Sequence, residues 1–329
     1  MSEKINGFLV HLSMNMWEDT ADHVPEPAQE LLKAMTPVTR PRMAEYFFQR
    51  RFQEHRQFDN ALWHELLESL AGAGVNTIIF DVADGIRWSG HPELSLPESW
   101  SEQELKDELA VCRSYGIMPV PKLNFSSSHD AWLREYSRML STGVYYDLCR
   151  ELIARLGELF DAPEYFHLGM DEECDAMQTT YLYSIVRRGE LWWHDLDFFM
   201  NQVRSIGAKP WMWSDKLWHC GIEEFKRNVP LDVIQSNWYY SGNFSPEDSE
   251  YKNMLSGFEQ LDEAGYIQAP AGSNWMDFDN YPRLVEFCRK VIKPERLLGF
   301  VNAPWYSVTR EHSEHLSEAV KQIDRAFHC

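Results

Sequence analysis

The chain has 329 residues, 44% of them hydrophobic and 14% aromatic, which is enough to bury one large core. Its 51 acidic residues against 31 basic ones give a net charge of −20, and such a surface repels nucleic acid and anionic membranes, so neither is expected as a partner. No run of 18 apolar residues occurs and Met1 to Asn6 is polar without a secretory leader pattern, so a cytoplasmic protein with no membrane span is expected.

From the N-terminus onward, short apolar runs near 7–12, 76–82, 117–123, 165–169, 209–213, 233–237, 266–269 and 297–301 read as strands. Longer amphipathic stretches near 60–73, 101–114, 144–159, 191–206, 222–227, 251–264, 281–291 and 311–327 read as helices between and after them. Eight β-then-α units predict an α/β protein, a (β/α)8 TIM barrel in a single domain over 1–329. Gly74, Gly116, Gly207 and Gly265 each stand just ahead of a strand, where a left-handed residue stops the preceding helix. An open doubly wound sheet is the rival, but the turn after the first strand, 12–17, has no glycine-rich phosphate pattern.

A long first βα loop is expected at about 13–59. Its second half carries Arg40, Arg42, Arg50, Arg51 and Arg56 among Tyr46, Phe47, Phe48 and Phe52. That pattern suits a helix across the barrel mouth or a salt-bridged surface helix. The six cysteines are scattered with no CxxC spacing, so reduced thiols are expected rather than a zinc site or disulfides. Cys174 reads as a small buried residue.

Barrels of this kind place chemistry at the C-terminal ends of their strands. The fourth strand runs through Tyr165 to Gly169 and ends in Asp171, Glu172 and Glu173. A rigid element thus delivers acids to a loop, although acidic triplets also favour the positive end of a helix dipole. The other strand ends supply Asp81, Asp84, Arg87 and Trp88; Lys122, Asn124, His129 and Asp130; Trp211, Trp213 and Asp215; Trp238, Tyr239 and Tyr240; Asn274, Trp275 and Asp277; and Trp305 with Tyr306. Indole faces suit the C–H faces of a pyranose while Asp, Asn and His bond its hydroxyls, so a carbohydrate substrate is expected. For any single tryptophan, core packing is the commoner use.

Glycosidic cleavage asks for one protonated carboxylic acid at the departing oxygen and a second group that stabilises an oxocarbenium-like centre. Asp171 and Glu172 can divide that work, their mutual repulsion helping to keep one protonated. His312 and His315 are spaced like metal ligands, but with no third ligand nearby they read as a solvated helix face.

The run His167-Leu168-Gly169-Met170-Asp171-Glu172 resembles the His-x-Gly-Gly-Asp-Glu signature of family 20 glycoside hydrolases, the β-N-acetylhexosaminidases. Residues 75–88, 92–105 and 117–129 are similar to that family's second and third strands and the stretch between them, and Trp213, Trp238, Asp277 and Trp305 fall where its later strands bind sugar. The resemblance spans about 76–305 and is most specific at the fourth strand. It implies substrate-assisted retaining hydrolysis of a terminal N-acetylhexosamine, with the 2-acetamido oxygen as nucleophile. Glu172 is then the general acid and base, Asp171 orients the acetamido nitrogen, and Asp84 and His129 hydrogen-bond near the acid. No metal or organic cofactor is implied.

The expected substrate-binding set is Asp84, His129, Trp211, Trp213, Asp215, Trp238, Trp275, Asp277 and Trp305. The departures are specific: no Arg ends the first strand, Trp275 stands for a Tyr, Ser307 for a Glu, Met170 for a Gly and Asn124 for an Asp. An Arg of the first loop, Arg40 or Arg42, is a candidate replacement. Two alternatives stay open: a glycosidase of altered specificity using Asp84, Asp215 or Asp277 as second carboxylate, and a carbohydrate-binding barrel that has lost catalysis. An acidic barrel with exposed aromatics is compatible with a homodimer.

Overall fold

Strands whose two faces are both apolar have to be covered on both sides, and that requirement organises this chain. In the computed structural model, which describes residues 4–18, 51–178, 183–245 and 252–328, eight such strands lie parallel. They are β1 (Ile5–His11), β2 (Thr77–Asp81), β3 (Met118–Lys122), β4 (Tyr165–His167), β5 (Lys209–Trp213), β6 (Ile234–Ser236), β7 (Ala271–Gly272) and β8 (Gly299–Asn302). Their order is β6-β5-β4-β3-β2-β1-β8-β7, and single bridges, Gln235 to Gln268 and Trp238 to Ala271, join β6 to β7 and close the ring.

Alternation along each strand sorts the side chains into two cores. Leu9, Ile79, Val120, Tyr165, Trp211, Trp213 and Val301 fill the barrel, while Phe8, Val10, Ile78, Phe80, Phe166, Met212 and Phe300 face the helices. Each fully buried side chain of this size stabilises the fold by about 1.5–3 kcal/mol. The covering helices are α1 (Asn60–Gly72), α2 (Glu102–Ser114), α3 (Gly143–Leu159), α4 (Glu190–Ser205), the short α5 (Lys216–Cys220), α6 (Ile222–Asn228), α7 (Lys252–Ala264), α8 (Asn280–Val291) and α9 (Ser313–His328).

Their ends follow local chemistry. The Asp59 carboxylate accepts the Leu62 N–H at 2.9 Å to start α1, and Ser101 and Glu104 form a reciprocal capping box on α2. The four helix-stop glycines all have positive φ, between 74° and 95°. The predicted seventh strand is displaced: Pro270 has no N–H to give the ladder, so 266–269 contributes only the bridge at Gln268 and the regular pairing falls at Ala271–Gly272.

One layer of the barrel interior is charged. His11, Asp81, Lys122 and His167 are in register on four successive strands, and none is exposed. Lys122 Nζ donates to Asp81, and His11 Nδ1 lies 3.2 Å from the same carboxylate. Burial pushes the Asp81 carboxyl up, but Lys122 and His11 outweigh it and hold it at about 2. Burial keeps the His167 imidazole neutral, well below its ordinary value.

Of the long first loop, 19–50 lies outside the described residues, and with it the expectations for Arg40, Arg42, Arg50 and the helix across the mouth. At its described end the Arg56 guanidinium sits over Phe58 and Trp100, at 5.0 and 4.8 Å from the ring centroids. Two expectations are corrected. His312 is buried rather than solvated, because its Nδ1 lies 2.9 Å from both Ser307 Oγ and Thr309 Oγ1 and its ring packs on Tyr306. Cys174 is exposed, because the chain turns outward after Glu173. The described cysteines are free thiols, and no helix among the described residues is long and apolar enough to cross a membrane.

Candidate active site

The segment after β4 changes direction abruptly, and its backbone explains how neighbouring acids face different partners. Gly169 and Met170 both have φ of 69°, and Glu172 has φ of 52°. Gly169 has no substitute here: a Cβ would lie 2.1 Å from Asn124 Oδ1 and 2.8 Å from the Asn124 Cα. Met170 and Glu172 adopt the left-handed region at a cost of about 1 kcal/mol or more each. Neighbouring hydrogen bonds hold them there. Met170 N–H donates to Asn124 Oδ1 at 3.1 Å, and Glu172 N–H donates to Asp215 Oδ2 at 2.8 Å.

The three carboxylates take three roles. Asp171 is buried, accepts from Asn124 Nδ2 at 2.8 Å and lies 3.6 Å from His129 Nδ1. The Glu172 side chain is 32% exposed, with Oε2 3.5 Å from His129 Nε2. Glu173 turns away into a buried ion pair: Arg187 donates through Nε at 2.9 Å and Nη2 at 2.6 Å, and Ser127 N–H donates at 3.0 Å. Arg187 also reaches Asp195 at 3.1 Å and the Phe125 carbonyl, which ties the acidic loop to α4 and to the loop after β3.

His129 is therefore the meeting point of the two acids. Burial pulls its pKa down, but Asp171 and Glu172 outweigh it and raise it above the ordinary imidazole value. Asp215, at the end of β5, is 3% exposed, and burial together with the Asp171 charge pushes its carboxyl up to about 7. Its other oxygen lies 3.5 Å from Trp238 Nε1.

Aromatic rings wall the same end of the barrel. Trp305, at φ 58°, has its ring centroid 5.2 Å from His11, 6.0 Å from Trp213, and 6.4 Å from both Trp17 and Tyr240. Trp213 packs on His167 at 4.5 Å, Trp238 stacks on Tyr240 at 5.0 Å, and Trp275 meets Tyr240 edge-on at 6.3 Å. Trp238 and Trp275 remain half-buried.

Not every expected residue joins this group. Trp211 lies one layer deeper, fully buried, with Nε1 donating to Ser236 Oγ at 2.7 Å, so it is barrel packing and not a sugar platform. Asp84 is wholly buried and bonds Asn15 Nδ2 and Arg134 Nη2, each at 2.9 Å, so its contacts hold the first and third βα loops together. Burial raises its carboxyl pKa. Asp277 accepts the Asp279 N–H at 2.8 Å at the start of α8. Trp17, Tyr240 and Asn124 join the group although they are outside the expected set. Tyr240 and Asn124 are readable as strand-end residues, whereas nothing local marks Trp17, five residues into the first loop.

Among the described residues, one group could supply a metal with three ligand atoms within 4.8 Å of one another: His129, Asp171 and Glu172. The chain matches no protein-family model and no curated protein. Its fold does match solved structures. The exo β-N-acetylglucosaminidase of Vibrio harveyi, a family 20 enzyme, is 12% identical over 97% of this chain and 54% of its own, with a TM-score of 0.56. The family 20 chitobiase of Flavobacterium johnsoniae is 16% identical over 83% and 46%, at 0.61. The β-N-acetylhexosaminidase of Bacteroides fragilis is 12% identical over 98% and 65%, at 0.60. The chain thus spans about half to two thirds of the length of these proteins. What it shares with them is the fold, a (β/α)8 barrel.

Proposed function

We propose that the protein is a glycosidase, a family-20-like exo-β-N-acetylhexosaminidase that removes a terminal N-acetylhexosamine with retention of configuration. One observation carries the reading: His129 lies within 3.6 Å of both Asp171 and Glu172, beside aromatic rings, at the strand ends of the barrel. A lone surface acid would have no such partner.

In the proposed reaction the Glu172 carboxylic acid gives its proton to the departing glycosidic oxygen as the C–O bond breaks. The substrate's acetamido oxygen bonds to the anomeric carbon in the same step, and Asp171 accepts from the acetamido N–H and offsets the positive charge that develops there. Water then attacks the anomeric carbon and returns a proton to Glu172. The exposure of Glu172 fits contact with a leaving group, and the burial of Asp171 fits an orienting role. The half-buried Trp238 and Trp275 supply apolar faces for the ring, with the buried Trp213 and Trp305 packed behind them. Asp215 acts through Glu172 by holding its backbone N–H.

A specific observation favours a second reading, a carbohydrate-binding barrel without turnover. Residues 12–18 after β1 contain no Arg, and Trp275 occupies the position where the resemblance implies a Tyr for the acetamido oxygen. Chromophore release from an aryl β-N-acetylglucosaminide and an aryl β-glucoside, by wild type and Glu172→Gln, separates the two. Turnover of the N-acetyl substrate alone, lost in the variant, is expected. Turnover of neither, with sugar affinity unchanged by Glu172→Gln, overturns the hydrolase reading in favour of the binding one.

A further inference from the structure

We propose that His167 is the positioning residue of the acid turn: its Nδ1 holds the Gly169 N–H, with the ring proton on Nε2, and so fixes the loop that brings Asp171 and Glu172 to His129. Its effect on turnover rests on the hydrolase reading; the hydrogen bond and the tautomer do not.

His129 sets the demand on this turn. Asp171 approaches the imidazole at Nδ1, at 3.6 Å, and Glu172 at Nε2, at 3.5 Å, so adjacent residues have to reach opposite nitrogens of one ring. Backbone N–H groups of Gly169, Met170 and Glu172 anchor the turn, each to a side chain from a different strand end. Met170 uses Asn124, just past β3, and Glu172 uses Asp215, just past β5. The first anchor is on β4 itself. The Gly169 carbonyl stays in the sheet and accepts the Trp213 N–H at 3.0 Å, whereas the Gly169 N–H leaves the ladder and donates to His167 Nδ1 at 3.0 Å. That bond bears on the residue, at φ 69°, where the chain first departs from the strand.

The contact also selects the tautomer. An accepting Nδ1 carries no proton, so the neutral ring holds it on Nε2. Nε2 is buried and has no hydrogen-bond partner among the described residues, which leaves the Gly169 contact to decide the form. Protonating the ring would turn Nδ1 into a donor facing a donor. It would also set a second buried cation beside Lys122, the register partner of His167 on β3, whose ammonium already donates to Asp81. Burial and Lys122 push the imidazole well below its ordinary value, with Asp81 opposing them. The same ring lies 4.5 Å from Trp213, so one side chain supports both the turn and part of the aromatic wall.

NMR of the full chain with 15N-labelled histidine, with no glycoside present, tests the tautomer. His167→Asn identifies the His167 signals by their loss. In wild type the ring should show the neutral Nε2–H pattern of shifts, unchanged across about pH 5 to 8. Amide exchange tests the bond. In His167→Leu, which removes the acceptor, the Gly169 N–H should exchange about tenfold faster or more relative to the Leu168 N–H, which donates to the Trp211 carbonyl at 2.8 Å and controls for general loosening. Most of that protection should return in His167→Asn, whose side-chain oxygen takes the place of Nδ1. Turnover tests the positioning: kcat should fall about tenfold or more in His167→Leu with little change in KM, and recover in part in His167→Asn.

A charged or Nδ1–H ring, or Gly169 exchange unchanged in His167→Leu, overturns the proposal. So does lost protection with kcat unchanged, which would make the bond merely structural. Should His167→Leu fail to fold, the wild-type ring and the exchange in His167→Asn decide. A wild type that turns over no glycoside sinks the hydrolase reading and leaves the NMR result standing, so the two fail separately.

Discussion

Replacing Glu173 by Gln tests whether the third acid of the triplet is structural. Its side chain is 2% exposed and that of Arg187 is 1% exposed, so solvent screens neither charge. The guanidinium gives Glu173 two hydrogen bonds, at 2.9 and 2.6 Å, and the variant leaves an amide NH2 facing one of those donors. Breaking a buried pair by removing one partner's charge costs about 3–5 kcal/mol when the other charge is left uncompensated; Arg187 keeps Asp195 at 3.1 Å, so the loss is expected at the low end, about 3 kcal/mol. At this chain length that lowers the melting temperature by roughly 5–10 °C. Urea unfolding followed by circular dichroism measures it.

The double variant Glu173→Leu with Arg187→Met removes both charges but also takes the cation from the buried Asp195, which keeps the hydroxyls of Ser141 at 2.7 Å and Tyr146 at 2.5 Å, so it should recover part of the loss and not all of it. A single-variant loss below about 1 kcal/mol would refute the reasoning, placing Glu173 in solvent rather than in the ion pair.

Asp215 gives a pH test. Its folded carboxyl stands at about 7 against roughly 3.9 in an unfolded chain, so over that window the folded state binds the proton more tightly and wild-type stability falls as pH rises. Asp215→Asn lacks this term, so its stability relative to wild type should climb between pH 4 and 7. Parallel unfolding midpoints across that range would sink the assignment. Gly169→Ala sets a Cβ against Asn124 and has to push it off Asp171 or distort the loop. A stability loss of about 2 kcal/mol or more is expected from the strain at positive φ plus the clash, with a fall in turnover if Asp171 acts as proposed. A melting curve unchanged from wild type would show that the loop relaxes freely.

The repeating pattern was legible because its signals are local. Apolar runs mark strands buried on both faces, the four glycines mark helix stops, and all eight predicted helices match observed ones to within about two residues. The acidic run Asp171, Glu172 and Glu173 at the end of a barrel strand was legible for the same reason, but its adjacency does not say which acid faces His129. Less legible were the endpoints of β7, where one missing N–H at Pro270 moved the pairing.

The sequence by itself determined the eightfold alternation and which acids stand at the strand ends, since both depend on neighbours in the chain. Tertiary structure alone decided which atoms meet. Trp211 and Trp213 look alike in sequence, yet one strand repeat separates barrel packing from the aromatic wall. Glu172 and Glu173 also look alike, but a φ of 52° and an Arg187 fourteen residues away send one toward His129 and the other into a buried ion pair. Trp17 joins the wall only because β1 and β8 are paired neighbours in the closed barrel, across nearly the whole length of the chain. Such contacts depend on register and closure, which arise from packing between distant segments and leave no trace in local periodicity.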